Sequence, residues 1–224
     1  MLYADRAHAG HALADALSAY GRRSDVVVLA LPRGGVPVAF RVAEALEAPL
    51  DVFLVRKLGF PGSEEFAMGA IASGGVRVLN EAVLDRYGVP DALVETVSRR
   101  EGLELARREK SYRGGLPPLD VRGKTVIVVD DGLATGFSMR AAVTALRSLS
   151  PRRIVVAVPV GPRETLEELR RLADEVVCPS TPEPFLAVGH FYDDFEQTPD
   201  REVVDLLSRA RRRRPAAEPA GSLA

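Results

Sequence analysis

Four short runs of aliphatic residues divide the chain into regular segments. They cover residues 26–31, 52–55, 125–129 and 154–160, and each run is rich in valine and continuous rather than alternating. A strand covered on both faces has this pattern, whereas a strand with one wet face alternates apolar and polar positions. The runs therefore predict four buried parallel strands.

Segments with helical spacing lie around and between these strands. They cover residues 5–20, 36–46, 139–149 and 162–172, and the first places Ala9, Leu13 and Leu17 on one face. Strand and helix in repetition predict an α/β fold with a doubly wound, mainly parallel sheet. Ligands bind such sheets at the carboxyl ends of the strands.

Residues 80–115 interrupt this alternation. Asn80 is a candidate cap for a short helix that ends near Tyr87, and a longer charged helix over 91–112 should stop at Gly114. The segment is predicted to be a helical insertion in one domain that spans residues 1–210.

The end of the chain predicts one more helix. Thr198 is the expected cap and Pro199 the first-turn residue, and the apolar face is formed by Val203, Leu206 and Leu207. Residues 211–224 have the composition of a disordered tail.

Composition narrows the class of protein. A chain of 224 residues with 46% hydrophobic content suits one α/β domain, and a single cysteine, Cys178, excludes an intramolecular disulfide. The net charge of -1 argues against a nucleic-acid partner, and no apolar run approaches the roughly 20 residues that span a bilayer. We therefore expect a cytoplasmic protein without a membrane partner.

The strongest chemical signal lies at residues 126–138, where a buried strand ends in two adjacent carboxylates, Asp130 and Asp131. A short loop into a helix follows, with five small or hydroxyl residues: Gly132, Ala134, Thr135, Gly136 and Ser138. Backbone N–H groups and the helix start favour a phosphate dianion there. Because the carboxylates can accept hydrogen bonds from vicinal hydroxyls, the segment predicts a phosphate carrying a ribose. The alternative is a simple Asx turn after the strand.

This segment resembles the fingerprint of the type I phosphoribosyltransferases, in which aliphatic residues precede two acids, a variable stretch and Thr-Gly. The resemblance implies the fold of that family and 5-phosphoribosyl-1-pyrophosphate (PRPP) as the substrate. It implies that Asp130 and Asp131 hold the ribose 2′- and 3′-hydroxyls. Residues 134–138 would then hold the 5′-phosphate.

The turn after the first strand, residues 31–37, resembles the pyrophosphate loop of the same family. Gly34 and Gly35 permit close approach of the backbone to a ligand, and Arg33 brings a fixed positive charge. The resemblance also implies a strained non-proline cis peptide near Arg33–Gly34. An ordinary glycine-rich turn between strand and helix is the alternative.

Two cations, Arg56 and Lys57, are expected at the carboxyl end of the second strand. The family resemblance places Lys57, with Arg56 as a further candidate, beside the departing pyrophosphate. A preorganised cation there stabilises the transition state more than the ground state. The alternative is a pair of cations at a strand terminus with no role in binding.

The segment at residues 126–138 resembles that of the adenine phosphoribosyltransferases more than that of the 6-oxopurine enzymes. Ala134 stands where the latter carry an aspartate, and no lysine follows Lys124. The resemblance places Glu65 on a mobile catalytic loop, where it would handle a proton of the base, so that Glu65, Lys57 and Asp131 are the expected catalytic residues. A solvated acidic loop is the alternative for Glu65.

A small hood that recognises the base is expected at residues 179–195. Phe185 and Tyr192 are the candidates for stacking on a heterocycle, together with Phe191. The same aromatics also suit an ordinary core or rim.

The resemblance implies Mg²⁺-dependent transfer of the phosphoribosyl group from PRPP to a nitrogen acceptor, such as a nucleobase in purine salvage. Mg²⁺ would be held mainly by PRPP, so no all-protein metal site is expected. Two alternatives stay open: a non-catalytic protein that senses PRPP or a nucleotide, and a generic nucleotide-binding Rossmann-like domain. The sequence leaves the oligomeric state open, with a homodimer as one candidate.

Overall fold

A five-stranded parallel sheet forms the centre of the protein in the computed structural model, which describes residues 2–61 and 63–213 but not the side chains of residues 63–66. The strand order is β2-β1-β6-β7-β8. The strands are β1 Val26–Ala30, β2 Leu50–Val52, β6 Thr125–Val129, β7 Arg153–Ala157 and β8 Glu175–Val177. The doubly wound parallel architecture is thus confirmed.

The chain forms seven α-helices within the described residues: α1 Arg6–Ala16, α2 Gly35–Leu46, α3 Glu81–Tyr87, α4 Asp91–Arg113, α5 Phe137–Ser148, α6 Arg163–Arg170 and α7 Asp200–Arg212. Helices α1, α2 and α7 cover one face of the central sheet, and α5 and α6 cover the other. Alternate residues of β1 enter different cores: Val26 and Val28 pack in the core with α1, α2 and α7, and Val27 packs with α5 and α6. Burial on both faces explains the continuous apolar runs.

A second, antiparallel sheet was missed by the sequence interpretation. It contains β3 Val55–Phe60, β4 Ser63–Ala72 and β5 Val76–Leu79 in the order β3-β4-β5. The expected strand over 52–55 is wrong, because β2 ends at Val52 and Val55 already belongs to β3. Lys57 therefore pairs with Ala70 inside a hairpin and does not end a parallel strand.

The two helices predicted within residues 80–115 are confirmed as α3 and α4. The Asn80 side chain accepts a hydrogen bond from the Val83 N–H at 3.2 Å, and Gly88 ends α3 in the left-handed conformation. Gly114 ends α4 in the same conformation, with φ +62°. Helix α4 packs against β3 and α7, so the insertion lies beside the second sheet.

A buried ion pair fixes the end of α4 to the central sheet. The Arg113 Nε atom donates to the two carboxylate oxygens of Asp51 at 3.1 and 3.0 Å, and Arg113 Nη2 donates to the Val52 carbonyl at 2.8 Å. The exposed fractions of the two side chains are only 5% and 3%. Glu109 adds a second carboxylate 2.9 Å from Arg113 Nη1.

The start and end of α7 differ from the prediction. Pro199 occupies the cap position without a side-chain hydrogen bond, so Thr198 is not the cap, although the expected face of Val203, Leu206 and Leu207 is buried. The predicted disordered tail is wrong for residues 211–213, because α7 extends to Arg212 and Arg211 donates to the Arg113 carbonyl at 2.8 Å. Residues 214–224 lie outside the described part of the chain.

Within residues 2–61 and 63–213, no helix has the length and apolar character needed to cross a bilayer.

Candidate functional site

The two glycine-containing loops meet at the centre of the main sheet. Strand β1 lies between β2 and β6, and the chain leaves β1 towards β2 before it returns to β6 on the other side. At such a switch in strand order, the loops after the two neighbouring strands diverge and leave a crevice. The Leu31 N–H donates to the Val129 carbonyl at 2.8 Å, which holds the start of the first loop beside the end of β6.

Gly34 and Gly35 pack directly against the two acids. A Cβ atom on Gly34 would lie 2.0 Å from Asp131 Oδ2, and one on Gly35 would lie 2.7 Å from the Val129 carbonyl oxygen. Both distances are far below van der Waals contact, so these positions require glycine. The non-proline cis peptide joins Pro32 to Arg33, one bond before the expected position.

The family resemblance predicts PRPP as the ligand of these loops, and replacing Gly34 with alanine is expected to weaken its binding by at least about tenfold, because the new methyl group must displace the Asp131 carboxylate. Calorimetric titration of PRPP into the folded variant measures this loss. Gly102→Ala is the matched control. Gly102 lies on α4, and a Cβ there would meet the flexible end of the Ile71 side chain at 3.3 Å. Equal affinity in the Gly34 variant and the control would show that the loop does not position Asp131.

The predicted phosphate loop lies at the start of α5. Gly136 has φ +69° and occupies the cap position, and the Thr135 and Ser138 side chains are exposed. Hydrogen bonds from other side chains restrain the loop: Thr165 donates to the Ala134 carbonyl at 3.0 Å, and Arg140 donates to the Thr135 carbonyl at 2.7 Å. The exposed hydroxyls and the positive end of the helix provide the features that an anion requires.

Gly132 closes the inner side of the same loop. A Cβ at this position would lie 2.5 Å from a methyl group of Val188, which belongs to the short 3₁₀ helix Val188–Phe191 in the predicted hood. The hood therefore packs directly on the loop. Phe185 and Phe191 lie close together there, with ring centroids 5.0 Å apart.

The two carboxylates of the site are held in unlike environments. Burial and the neighbouring charge of Asp131 raise the pKa of Asp130 well above its ordinary value of 3.8. Burial also raises the pKa of Asp131, while the guanidinium of Arg6 opposes that rise. The Asp131 N–H donates to Asp130 Oδ1 at 2.9 Å.

Arg6 and Tyr192 contact Asp131 from two different segments. Arg6 Nε donates to Asp131 Oδ2 at 2.8 Å, and the Tyr192 hydroxyl donates to the Asp131 carbonyl at 2.5 Å. The sequence interpretation missed Arg6. It also expected Tyr192 to stack on a ligand, which is wrong for a ring that is only 2% exposed. Phe185 is partly exposed and stays a candidate for contact with a base.

Arg33 reaches the start of α7. Its Nη1 atom lies 3.8 Å from Asp200 Oδ1, which also accepts a hydrogen bond from the Tyr112 hydroxyl at 2.7 Å. Tyr112 lies on α4, so the helical insertion contributes to the surroundings of the Arg33 loop. Neither Tyr112 nor Asp200 was among the candidates that the sequence suggested.

The two predicted cations of β3 point to different neighbours. The Arg56 Nη2 atom lies 2.5 Å from Glu101 on α4, whose side chain is only 11% exposed. The Lys57 Nζ atom instead lies 5.9 Å from the ring centroid of Phe137, the first residue of α5. Adjacent residues of a strand point to opposite faces of the sheet. Lys57 therefore lies near the predicted phosphate loop, whereas Arg56 pairs with a carboxylate of α4.

Glu65 was expected on a mobile loop, but its backbone belongs to β4. Its side chain is among those that lie outside the described residues. The role of Glu65 as a proton carrier therefore stays a prediction.

Comparisons with known proteins agree on one family. The sequence profile of the phosphoribosyl transferase domain matches residues 2–196. A Mycobacterium tuberculosis protein provisionally named a phosphoribosyl transferase is 46% identical over 211 residues, which are 94% of this chain and 47% of that protein. The chain thus spans about half the length of this relative.

Two further proteins are similar to this chain, one by its crystal structure and one over a shorter part of the sequence. The crystal structure of the protein TT1426 from Thermus thermophilus is 45% identical with a TM-score of 0.82, and the match covers 93% of this chain and 99% of that one. The bifunctional protein PyrR of Chloroflexus aurantiacus is 33% identical over 137 residues, which are 59% of this chain and 69% of PyrR.

Proposed function

The chain belongs to the phosphoribosyl transferase family, and from that premise we propose that it transfers the 5-phosphoribosyl group of PRPP to a nitrogen acceptor. A nucleobase is the proposed acceptor class, and pyrophosphate is the second product. The observation that carries the proposal is the meeting of the Arg33 loop with Asp130 and Asp131 at the switch in strand order.

Each part of PRPP has a counterpart in this site. The exposed Thr135 and Ser138 hydroxyls at the start of α5 suit the 5′-phosphate, and Asp130 and Asp131 suit the ribose diol. The loop with Arg33, Gly34 and Gly35 suits the pyrophosphate, because glycine lets the backbone approach closely and the guanidinium is charged at every physiological pH.

The carboxylates also fit a Mg²⁺ ion that arrives with PRPP. Mg²⁺ prefers oxygen ligands and keeps several waters, so one or two carboxylates and the substrate's own oxygens suffice. In the described ranges, no group of three or more His, Cys, Asp or Glu residues could hold a metal alone. When bound, the ion would neutralise charge on the pyrophosphate.

The reaction breaks the bond between ribose C1 and the pyrophosphate oxygen and forms a bond from C1 to the acceptor nitrogen. Both electrons of the broken bond leave with pyrophosphate, and the acceptor nitrogen loses its proton. The protein positions the two reactants and stabilises the growing negative charge. We assign part of that stabilisation to Lys57, which lies beside the first residue of α5.

Ala134 favours an adenine-type acceptor within purine salvage. The position lacks a carboxylate that could act on a purine ring nitrogen, so the proton must be accepted by another group. Glu65 on β4 is the proposed acceptor of that proton.

A release assay tests the reaction. PRPP and Mg²⁺ are incubated with the protein and a panel of nucleobases, and pyrophosphate is measured. We expect release with one base, and a loss of about 100-fold in kcat/KM for Lys57→Gln, the size that follows removal of one transition-state contact.

Lys110→Gln is the matched control for Lys57→Gln, because Lys110 is an exposed lysine on α4. It should leave the rate unchanged. Binding of PRPP without release for any base would contradict nucleobase transfer and support the alternative function, a protein that senses PRPP or a nucleotide.

A further inference from the structure

Three contacts hold the Arg6 side chain beside the candidate site. Its Nε atom donates to Asp131 Oδ2 at 2.8 Å, its Nη1 atom donates to the Glu196 carbonyl at 2.7 Å, and its guanidinium lies 4.0 Å from the centre of the Phe195 ring. The side chain is only 12% exposed. Contacts in three directions give the guanidinium one defined position.

The backbone before α1 is fixed to the hood, which keeps Arg6 in place. The Tyr3 N–H donates to the Phe191 carbonyl at 3.0 Å, and the Asp193 N–H donates to the Tyr3 carbonyl at 2.9 Å. The ring of Tyr3 packs on that of Tyr192, whose hydroxyl binds the Asp131 carbonyl. The first residues and the hood therefore form one unit, which binds both the backbone carbonyl and the side chain of Asp131.

The two oxygens of the Asp131 carboxylate differ. Oδ2 accepts the hydrogen bond from Arg6 and lies where a Cβ on Gly34 would be only 2.0 Å away, whereas in the described part of the chain no side chain of another residue donates a hydrogen bond to Oδ1. Resting on the proposed function, we propose that Arg6 is a positioning residue that binds Oδ2 of Asp131 and so presents Oδ1, as a charged acceptor, to the ribose diol of PRPP.

Electrostatics explain why this site needs a cation. Asp131 faces Asp130 on its own loop, Arg6 on α1 and Tyr192 on the hood. Arg6 is the cation whose hydrogen bond reaches the Asp131 carboxylate, at 2.8 Å. A charge-assisted hydrogen bond of this kind is short and directional, so it fixes the orientation of the carboxylate that faces the ribose hydroxyls.

The test is calorimetric titration of PRPP with Mg²⁺ at neutral pH. We expect Arg6→Gln to weaken binding about tenfold, the size that follows loss of one charge-assisted hydrogen bond. Arg6→Lys keeps the charge and a donor for Asp131 Oδ2, so it should recover much of the affinity, whereas glutamine should not.

Arg22→Gln is the control, because the Arg22 side chain forms an exposed ion pair with Glu47 on the protein surface. Thermal unfolding of every variant separates lost binding from lost folding. If wild-type protein binds PRPP and Arg6→Gln binds it with equal affinity, the positioning role is overturned while the proposed function stands. Tighter binding by Arg6→Gln also overturns it, since Arg6 would then block the site. No binding by wild type and control alike would overturn the proposed function and this inference with it.

Discussion

Asp130→Asn will stabilise the fold at neutral pH and weaken PRPP binding. The folded-state pKa of Asp130 is raised, so the folded protein holds this proton to higher pH than the unfolded chain does. The stabilisation that protonated Asp130 contributes is therefore lost as the pH rises above 3.8, the ordinary pKa of this side chain. At neutral pH the charged carboxylate lowers the free energy of unfolding. Asparagine keeps an oxygen that can accept from the Asp131 N–H without that charge.

The same substitution removes the charged acceptor that we propose for the ribose diol. Loss of one hydrogen bond to a charged group costs about 1.5–3 kcal/mol, so affinity should fall about 10- to 100-fold. Chemical denaturation and calorimetry measure the two effects, and the gain in unfolding free energy should exceed the roughly 0.5 kcal/mol of an ordinary surface change.

Asp120→Asn is the control, because Asp120 is exposed and also accepts a local backbone hydrogen bond, from Arg122. It should change neither property. A less stable Asp130→Asn protein, or one that binds PRPP with wild-type affinity, would contradict the account of this carboxylate.

Arg113→Met will cost about 3–5 kcal/mol of unfolding free energy, because it leaves the Asp51 carboxylate buried without its main partner. Asp51 is 3% exposed, and the other cation near it among the described residues is Arg211, at 3.9 Å. The loss is a large part of the stability of a typical domain. Denaturant titration of both proteins measures it.

Arg107→Met is the matched control on the same helix, since Arg107 pairs with Glu104 at an exposed surface. It should leave the free energy of unfolding close to that of the wild type, because exposed ion pairs stabilise proteins little. The double variant Arg113→Met with Asp51→Asn should recover part of the loss, because asparagine can still accept from the Leu119 N–H without carrying a charge. A loss below about 1 kcal/mol for Arg113→Met would show that this pair does not stabilise α4 against the sheet.

The central sheet and its loops could be predicted because their signals are local. Buried parallel strands are continuous apolar runs, and Asp130 and Gly34 follow two of them closely. Neighbouring parallel strands end at the same edge, so the sequence alone placed the two loops together. The structure brings Gly34 against Asp131, as that argument requires.

The antiparallel hairpin was missed because its sequence has the features of a loop. Gly59 and Pro61 are turn residues, and the pairing of β3 with β4 shifts register around Gly59. A period of two cannot be followed across such an irregularity. The opposite directions of Arg56 and Lys57 depend on that hairpin, and so could not be inferred.

The contacts of Arg6 and Tyr192 with Asp131 could not be predicted, for a different reason. Arg6 lies 125 positions from Asp131, and nothing in the local sequence of α1 marks it as the partner of an acid. Tyr192 was recognised as an aromatic of the hood, but its burial depends on Tyr3 at the other end of the chain. Tertiary contacts of this kind follow only from the folded structure.

The most direct test of the account is calorimetric titration of the wild-type protein with PRPP and Mg²⁺, with ribose 5-phosphate and pyrophosphate titrated separately. We predict saturable binding of PRPP at one site per chain, with weaker binding of each fragment because each occupies only one of the two loops. Absence of saturable PRPP binding would contradict the assignment of the crevice at the carboxyl ends of β1 and β6 as a phosphoribosyl site.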